Sequence, residues 1–384
     1  MEQDDMELPD VEVIYLDDGE ELEIMGGYDG EEFDASEGED AELDDNRFIE
    51  EIKDISKLTF KSHKKSVFVC ALSTDESIAI TGGEDDVAYL WTVANGEVIL
   101  ECTGHKDSVT EVAFNHDNTL VATGDMGGLI QVWSVKDKKL IWCIEGDDTE
   151  WIQWHHLSNI LLVGTSSGDV YIYLVPSGNC KVLPSSGFAA NCGKLLSDGK
   201  HILVGYANGT LKLWDIKTST AKWQYTDSSE TSINSMQINA DNTLITVCPS
   251  AQIIKVADGK VLTALLSDGE TEIESCDFSA ELGVVATGAL SGQICVWELG
   301  KYALRHEAKI ECAVTKMKFG KDGKLFIAGT DGAIYVCNAR TGLLAETLTG
   351  HESEVLDFAV GSSGTIVLST SDDGTARIFD VKPE

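Results

Sequence analysis

Short runs in which apolar and polar residues alternate follow one another along the chain from about residue 54 onward. The runs are separated by segments such as HDNT, SDGK, ADNT and KDGK, which are rich in the Asp, Asn and Gly residues that β-turns prefer. Strict alternation is typical of strands that bury one face, whereas amphipathic helices repeat about every 3.6 residues. The pattern therefore predicts a succession of short antiparallel strands.

These strands belong to a longer repeat, because one anchor position, mostly aromatic, recurs after a β-like run in each unit. The anchors are Trp91, Trp133, Tyr173, Trp214, Ile254, Trp297, Cys337 and Phe379, and their successive spacings are 42, 40, 41, 40, 43, 40 and 42 residues. A four-stranded propeller blade has a period of about 40–45 residues. Residues 54–384 are therefore predicted to form an all-β, eight-bladed propeller.

The two ends of the repeat region predict how the ring closes. The last unit stops at ARIFDVKPE, soon after its third strand, while ISKLTFKSH before the first unit aligns with the fourth-strand segments VILECTGH and LAETLTGH. Closure removes the exposed edge that an open array of strands would leave. We therefore expect the N-terminal strand to complete the final blade.

Charge separates the first residues from the propeller. The net charge is -38, and residues 1–54 contain 24 Asp or Glu against 2 Lys or Arg. Such a segment cannot bury enough apolar surface to offset the entropy of ordering, so residues 1–53 are predicted to be a disordered acidic tail. The tail serves either solubility or binding, and VEVIYL within it could add to a sheet edge or dock in a groove.

Composition also bears on the cellular compartment. The 10 cysteines are scattered without a CxxC pair, and no basic-then-apolar leader precedes them. No apolar run reaches the roughly 18 residues that a membrane helix needs. We expect a cytoplasmic protein that does not insert into membranes, with nuclear or membrane association through partners as an alternative.

The repeats resemble those of WD-repeat proteins across about residues 55–384, on the basis of the Gly-His pairs, the turn aspartates, the anchor aromatics and LWDIK at Leu213. More narrowly, ITGGEDDVAYLW, GHKDSVT and LVATGDMGGLIQVW after an acidic tail resemble the angio-associated migratory cell protein family. Its fungal relatives are implied to be dedicated chaperones of a basic large-subunit ribosomal protein. Its animal members are described as proteins of cell migration, angiogenesis and small-GTPase signalling.

The resemblance implies a buried hydrogen-bonded network in the blades, formed by a histidine, a hydroxyl, an aspartate and an indole. The degenerate fifth unit and Cys337 depart from the family pattern, and the second unit has Gly127 where the aspartate is expected. A Ser-His-Asp triad is the alternative for the same residue types, but triads are single, whereas this set recurs. The network residues are His63, Thr81, Asp85, Trp91, His105, Thr123, Trp133, His351, Ser369 and Asp373.

Other chemical motifs are weak. The glycine-rich TGDMGG at Thr123 lacks the lysine of a phosphate loop, and the HH pair at His155 has no further ligand at a metal-like spacing. Basic clusters are confined to KSHKK and KDKK, which disfavours direct nucleic-acid binding. We therefore expect no enzymatic activity, no cofactor and no metal.

Alignment of the repeats instead predicts a ring of side chains around the channel opening, taken from the start of each first strand and from the residue before each turn aspartate. Seven of these positions are acidic and none is basic. General surface acidity is the alternative explanation. The predicted partner-binding residues are Phe68, Glu84, Met126, Asp148, Glu150, Glu272, Glu274, Leu290, Glu354, Leu356 and Asp372.

Two functions remain open at this point. One is a monomeric chaperone or escort that shields a basic segment, which the resemblance implies to belong to a large-subunit ribosomal protein, during ribosome assembly. The other is a signalling scaffold in cell migration and angiogenesis that acts through small-GTPase pathways. Acidic residues in both the tail and the predicted ring favour the first function.

Overall fold

The computed structural model of the protein describes residues 53–185, 187–227, 230–267 and 272–382 in full, and the backbone of residues 13–15 and 21–23. The chain divides into two compact units, Met1–Glu50 and Glu51–Glu384. In the first unit, strands β1 (Val13–Tyr15) and β2 (Glu21–Glu23) pair antiparallel, with Val13 opposite Glu23. The rest of the predicted acidic tail, apart from Lys53, lies outside the described residues.

In the second unit the described residues form β-strands and no helix, arranged as eight four-stranded antiparallel sheets. A single strand, β3 (Leu58–Phe60), precedes the first blade. Blades 1 and 2 consist of β4 (Val67–Leu72), β5 (Ile78–Gly83), β6 (Ala88–Thr92), β7 (Val98–Cys102), β8 (Val109–Phe114), β9 (Leu120–Asp125), β10 (Leu129–Ser134) and β11 (Lys139–Glu145). Blades 3 and 4 consist of β12 (Thr149–Trp154), β13 (Ile160–Thr165), β14 (Val170–Leu174), β15 (Asn179–Leu183), β16 (Cys192–Leu195), β17 (His201–Gly205), β18 (Thr210–Asp215) and β19 (Thr220–Thr226).

The second half of the ring repeats this arrangement. Blades 5 and 6 consist of β20 (Ser235–Ile238), β21 (Leu244–Cys248), β22 (Gln252–Lys255), β23 (Val261–Ala264), β24 (Ile273–Ser279), β25 (Val284–Ala289), β26 (Gln293–Glu298) and β27 (Ala303–Lys309). Blades 7 and 8 consist of β28 (Val314–Phe319), β29 (Lys324–Gly329), β30 (Ile334–Asn338), β31 (Leu343–Leu348), β32 (Val355–Val360), β33 (Ile366–Ser371), β34 (Ala376–Asp380) and the early strand β3. Every predicted anchor lies in the third strand of its blade, so the eight-bladed prediction is confirmed.

The propeller closes through its N-terminal strand. Strand β3 pairs antiparallel with β34, with Leu58 opposite Ile378 and Phe60 opposite Ala376. First strands of successive blades contact one another around the ring, and β32 of blade 8 returns to β4 of blade 1. The first strands therefore line a central channel, and the predicted closure is confirmed.

Each junction between neighbouring blades has its own hydrophobic cluster, so the core is a ring of eight clusters. The cluster between blades 8 and 1 contains Phe60 from β3 together with Trp91, both almost fully buried. At the two atypical anchor positions, Ile254 and Cys337 are buried in the same way. A blade buries its faces only against its neighbours, which makes closure of the ring part of its stability.

The predicted turns separate first from second strands. Asn118 and Asn242 both have a φ of 57°, in the left-handed region that asparagine tolerates better than most residues.

Side chains also join the inner strands of neighbouring blades. Asp357 accepts a hydrogen bond from the backbone N–H of Cys70 at 3.0 Å, and Asp277 accepts one from Phe319 at 2.7 Å. These bonds satisfy N–H groups on the channel-facing edge, which has no further strand to pair with.

Candidate partner-binding rim

The end of the propeller at which the first strands begin and the second strands end is called the rim. In blade 1, Val67 pairs with Gly83 and Val69 pairs with Gly82, which leaves Phe68 as an extra, bulged residue. A β-bulge re-aims the side chain of the extra residue. The same bulge occurs in six blades, at Phe68, Thr110, Glu150, Glu274, Thr315 and Leu356. Four predicted partner-binding residues thus share one structural position.

A second set of rim residues, from the turns between second and third strands, lies beside the first set. In each case the turn residue donates its backbone N–H to the carbonyl of a residue that precedes the first strand, at 2.9–3.2 Å. This regular bond places strand and turn residues at the same end of each blade. The bonded pairs include Glu84–Ser66, Met126–Ser108, Ser166–Asp148, Leu290–Glu272 and Asp372–Glu354.

Six of the seven predicted rim carboxylates are exposed and the seventh, Glu84, is half-buried. Glu84 contacts the ammonium group of Lys65 at 3.3 Å, a nearby cation that the predicted set did not include. Asp372 accepts a hydrogen bond from Ser66 Oγ at 2.6 Å. The exposed carboxylates are Asp148, Glu150, Glu272, Glu274, Glu354 and Asp372.

Two rim carboxyls have perturbed pKa values. Partial burial raises the pKa of Glu150, and the nearby charge of Asp148 raises it further. Partial burial also raises the pKa of Glu274. A cation that binds beside such a carboxyl stabilises its charged form and lowers its pKa.

Between blades 2 and 3, rim residues surround a pocket of about 320 Å³. Met126, whose side chain is 52% exposed, forms an apolar wall beside the carboxylates of Asp148 and Glu150. Of the other predicted apolar residues, Leu290 is exposed, while Phe68 and Leu356 are half-buried. The pocket joins apolar surface to negative charge, a combination that suits the stem and head of a long basic side chain.

Glu111 also lines this pocket and was not predicted. It lies on the first strand of blade 2, and burial raises its pKa to about 8, with a smaller contribution from the charge of Asp357. A hydrogen bond from the backbone of Ile152 and the charges of Lys316 and Lys194 act in the opposite direction. A glutamate within the apolar run VTEVAF is the sequence signal that could have revealed it.

The histidine of blade 1 is at the centre of a hydrogen-bonded network. His63 bonds through Nδ1 to Asp85 and through Nε2 to Thr81, each at 2.9 Å, and Trp91 Nε1 donates to Thr81 at 3.3 Å. Burial would raise the pKa of Asp85, but the hydrogen bond and charge of His63 and the N–H of Lys64 hold it below its ordinary value. The structure thus brings all four predicted residues of this blade together.

Blades 2 and 8 vary the same network. In blade 2, His105 bonds to Thr123 at 2.8 Å and to Asp125 at 3.1 Å, so the aspartate comes from a position two residues before Gly127. Trp133 does not join, because its buried Nε1 has no hydrogen-bond partner.

In blade 8, His351 bonds to Ser369 at 2.7 Å and to Asp373 at 2.9 Å. The side chains of His63 and His105 have 0% exposed surface. A base that no substrate can reach does not suit the triad alternative, and the arrangement favours a structural role.

The histidine pair at residues 155 and 156, one of the weaker motifs, is not part of the rim. His155 and His156 stack on each other with ring centroids 4.8 Å apart, and His155 Nε2 bonds to the carbonyl of Gly199. Among the described residues, no group of three or more His, Cys, Asp or Glu could hold a metal ion. The same residues contain no helix that is long and apolar enough to cross a membrane.

Comparison with known proteins agrees with this architecture. The family described as WD domain, G-beta repeat matches residues 55–92, 96–134, 183–215 and 342–380. The human angio-associated migratory cell protein is 33% identical over 350 residues, which cover 86% of this chain and 81% of the relative. The chain belongs to the angio-associated migratory cell protein family.

Fungal proteins are similar to this family member at lower identity. The ribosome assembly protein SQT1 of Saccharomyces cerevisiae is 24% identical, over 88% of this chain and 90% of the relative. Among solved structures, Chaetomium thermophilum Sqt1 bound to the N-terminus of the ribosomal protein L10 superposes with a TM-score of 0.77 at 21% identity. The match covers 86% of this chain and 100% of the fungal chain, and it shows the shared propeller fold.

Proposed function

We propose that this protein is a non-enzymatic, monomeric escort that holds a basic, extended segment of a ribosomal protein on its acidic rim during ribosome assembly. The observation that carries the proposal is the placement of six exposed carboxylates at one end of the ring. The ligand chemistry inferred from this arrangement is a chain of Lys and Arg residues.

Electrostatics gives the rim its selectivity. Like charges around one opening, with low-dielectric walls, focus the potential and increase the rate at which an oppositely charged ligand arrives. At Glu150 and Glu274, where pKa values are raised, a bound ammonium or guanidinium group would stabilise the ionised carboxylate. A lysine- or arginine-rich segment should therefore bind most favourably beside these two carboxyls, because their charged forms are disfavoured in the free protein.

Apolar rim residues add contacts for the ligand. Met126 and Leu290 are 52% and 45% exposed. Met126 shares a pocket with Asp148 and Glu150, and the backbone of Leu290 is bonded to that of Glu272. They can pack against the aliphatic stems of lysine or arginine while the charged heads reach the carboxylates. The expected ligand is thus extended and basic, with its side chains lying along the rim.

The relatives support a ribosomal ligand. One is named a ribosome assembly protein, and the solved structure of a fungal homologue contains the N-terminus of ribosomal protein L10. A related ligand on this chain would be a newly made ribosomal protein whose basic segment needs shielding until it reaches its site. The acidic tail, at -22 over residues 1–54 from 2 bases against 24 acids, would then add to the attraction.

Calorimetric titration with a synthetic peptide of the L10 N-terminus tests the proposal. The double variant Glu272→Lys/Glu274→Lys should bind the peptide at least about tenfold more weakly than the wild type. The matched control, Glu31→Lys/Glu32→Lys, makes the same charge change in the acidic tail and should have a much smaller effect. Equal affinity in the rim variant would overturn the rim as the binding site, and a larger effect of the tail variant would transfer the site to the tail.

A signalling scaffold is the second candidate, favoured by the 33% identity to the angio-associated migratory cell protein. Such a scaffold would join small-GTPase pathway proteins in cell migration and angiogenesis. Affinity purification at moderate salt discriminates the two functions. Recovery of one basic ribosomal protein supports the escort, whereas recovery of GTPase-pathway or receptor proteins supports the scaffold.

A further inference from the structure

The second strand of each blade packs against the first strand of the next blade, and one position in the second strand leaves little room for a side chain. A Cβ atom at Gly82 would lie 2.6 Å from Val109 of blade 2. One at Gly288 would lie 2.5 Å from Met317 of blade 7. This position comes three residues after the partner of the anchor, and in five blades it is glycine, at Gly82, Gly124, Gly164, Gly205 and Gly288.

Blade 5 has a cysteine at the same position. Its anchor Ile254 pairs with Ile245, so Cys248 is equivalent to the five glycines. Cys248 lies in the hydrophobic cluster between blades 5 and 6, together with Cys276 on β24 of blade 6. The two Sγ atoms are 2.7 Å apart. Non-bonded carbon atoms pack at about 3.5–4.0 Å and sulfur is larger, so the two thiols are held unusually close together.

This geometry suits a covalent bond between the two sulfur atoms. A disulfide bond brings its sulfur atoms to about 2.0 Å, so the pair would have to close by only about 0.7 Å. Both cysteines are free thiols, and Cys248 and Cys276 are 2% and 0% exposed. The two strands that carry them belong to different blades, so a bond here would join those blades covalently.

Blade 5 is also short of the contacts that hold other blades together. Its strands have only four or five residues, whereas those of blade 6 have six or seven. Its anchor is Ile254, in place of the aromatic residue found in most blades. Short strands form few ladder hydrogen bonds, so a covalent link to blade 6 would stabilise this blade more than most.

We propose that Cys248 and Cys276 form a disulfide bond between blades 5 and 6 when the protein is exposed to hydrogen peroxide. The proposal does not depend on the escort function. The hydrogen bond to Cys276 and burial raise the pKa of the Cys248 thiol, which therefore keeps its proton. Because the thiolate is the nucleophile, Cys276 reacts first and Cys248 second.

The reaction has two steps. The Cys276 thiolate attacks one oxygen of the peroxide, the S–O bond forms and the O–O bond breaks, and the departing hydroxide takes up the proton that Cys276 released. The sulfur of Cys248 then attacks the resulting sulfenic acid, the S–S bond forms and the S–O bond breaks, and hydroxide leaves with the Cys248 proton. The two sulfur atoms lose two electrons in total, and the peroxide is reduced to two molecules of water.

Burial and proximity have opposite effects on the two steps. Peroxide reaches Cys276 only when the junction opens locally, so the first step should be slower than oxidation of the exposed Cys143 and Cys180. The second step should be fast, because Cys248 is already held beside the sulfenic acid. The disulfide should therefore form in preference to higher oxidation of Cys276.

Peptide mapping by mass spectrometry tests the proposal on the full-length chain. The protein is treated with hydrogen peroxide, its remaining thiols are blocked with iodoacetamide, and it is digested without reductant. Wild-type protein should yield two peptides joined through Cys248 and Cys276, and dithiothreitol should separate them. Cys143→Ser/Cys180→Ser is the matched control and should give the same cross-link, because it removes only exposed thiols.

Thermal melting shows the consequence of the bond. Oxidised wild-type protein should melt at least about 3 °C above the reduced protein, whereas Cys248→Ala and Cys276→Ala should each melt at one temperature in both conditions. The proposal is overturned if wild-type protein shows oxidised Cys143 and Cys180 but no Cys248–Cys276 peptide, or if either buried cysteine joins a different thiol instead. A cross-linked protein that melts no higher than the reduced one would overturn the stabilising effect.

Discussion

The phenyl ring of Phe60 stacks on the indole of Trp91 with ring centroids 4.5 Å apart and planes 7° from parallel. Phe60 belongs to the strand that completes blade 8, whereas Trp91 is the anchor of blade 1. The closing strand therefore does two things at once. It covers the open edge of the last blade, and it contributes an aromatic ring to the core of the first blade.

The first prediction concerns this closure. Deletion of residues 1–50 should leave the melting temperature of the propeller nearly unchanged, whereas deletion through Ser62 should lower it strongly. The longer deletion removes β3 and the Phe60 ring, and it exposes an edge of β34. Thermal unfolding followed by circular dichroism measures both, and equal melting temperatures would contradict the closure mechanism.

A single substitution isolates the contribution of the ring. Phe60→Ala should reduce the free energy of unfolding by roughly 3–5 kcal/mol, the usual cost of removing a buried phenylalanine. Phe188→Ala is the matched control, because the side chain of Phe188 is 47% exposed. Denaturant unfolding should separate the two variants clearly, and similar losses would mean that the stack contributes little.

The second prediction concerns the His63 network. Asp85→Ala leaves the buried His63 without its carboxylate partner and should cost roughly 1–3 kcal/mol of stability. Binding of the L10 peptide per folded molecule should persist, because the network lies inside the blade. Asp86→Asn serves as the control, because Asp86 is an exposed neighbour whose φ of 61° lies in the left-handed region that asparagine tolerates. Loss of peptide binding without loss of stability would make Asp85 a functional residue instead of a structural one.

The fold was predictable to the level of single strands because each repeat carries its own signals. The anchor in each third strand and the Asn or Gly in the turns act locally, so their spacing in sequence reports blade number directly. Closure was predictable for the same reason, since Leu58–Phe60 has the pattern of a fourth strand without a blade of its own. The participation of Asp125 was not predictable, because it reaches His105 from a non-standard position.

The rim was predictable as a set of positions, but its chemistry was only partly so. Repeat alignment identifies Glu150 and Glu274 as equivalent, although the bulge that re-aims them appears only in the strand register. Channel residues such as Lys194 and Lys316 are separated by two blades, and their proximity depends on the closed ring. Contacts of that kind leave no local signal in the sequence.

The third prediction concerns acid stability. Burial would raise the pKa of Asp373, but hydrogen bonds from His351 and Thr375 and the charge of His351 hold it well below its ordinary value. A carboxyl with a lowered pKa in the folded state contributes stability that is present above its unfolded pKa of about 3.9 and is lost as the pH falls toward the folded value. Asp373→Asn should therefore be most destabilising at neutral pH.

Urea unfolding at several pH values checks this expectation. The difference in unfolding free energy between wild type and Asp373→Asn should shrink as the pH falls below about 4. Asp322→Asn, the same change on an exposed turn residue, should alter stability little. A difference that stays constant down to low pH would show that ionisation of Asp373 does not contribute.

The fourth prediction concerns the pH dependence of ligand binding at the rim. The pKa values of Glu150 and Glu274 are raised in the free protein, by burial first and, for Glu150, by Asp148 as well. A cationic ligand stabilises the charged carboxylates, so binding should lower both pKa values and release protons. Affinity for the L10 peptide should consequently fall as the pH is lowered from neutral, and the fall should begin at a higher pH than that at which an ordinary glutamate becomes protonated.

Neutral substitutions distinguish these two carboxyls from the general acidity of the surface. Glu150→Gln/Glu274→Gln should bind the peptide more weakly at neutral pH, and its affinity should change less with pH, because the titrating groups are gone. Glu97→Gln/Glu298→Gln makes the same change at exposed positions outside the rim and should keep the wild-type pH profile. Added salt should weaken binding in both proteins, since exposed charges are screened within about 8 Å at physiological ionic strength. A profile equally steep in both double variants would assign the pH dependence to groups other than Glu150 and Glu274.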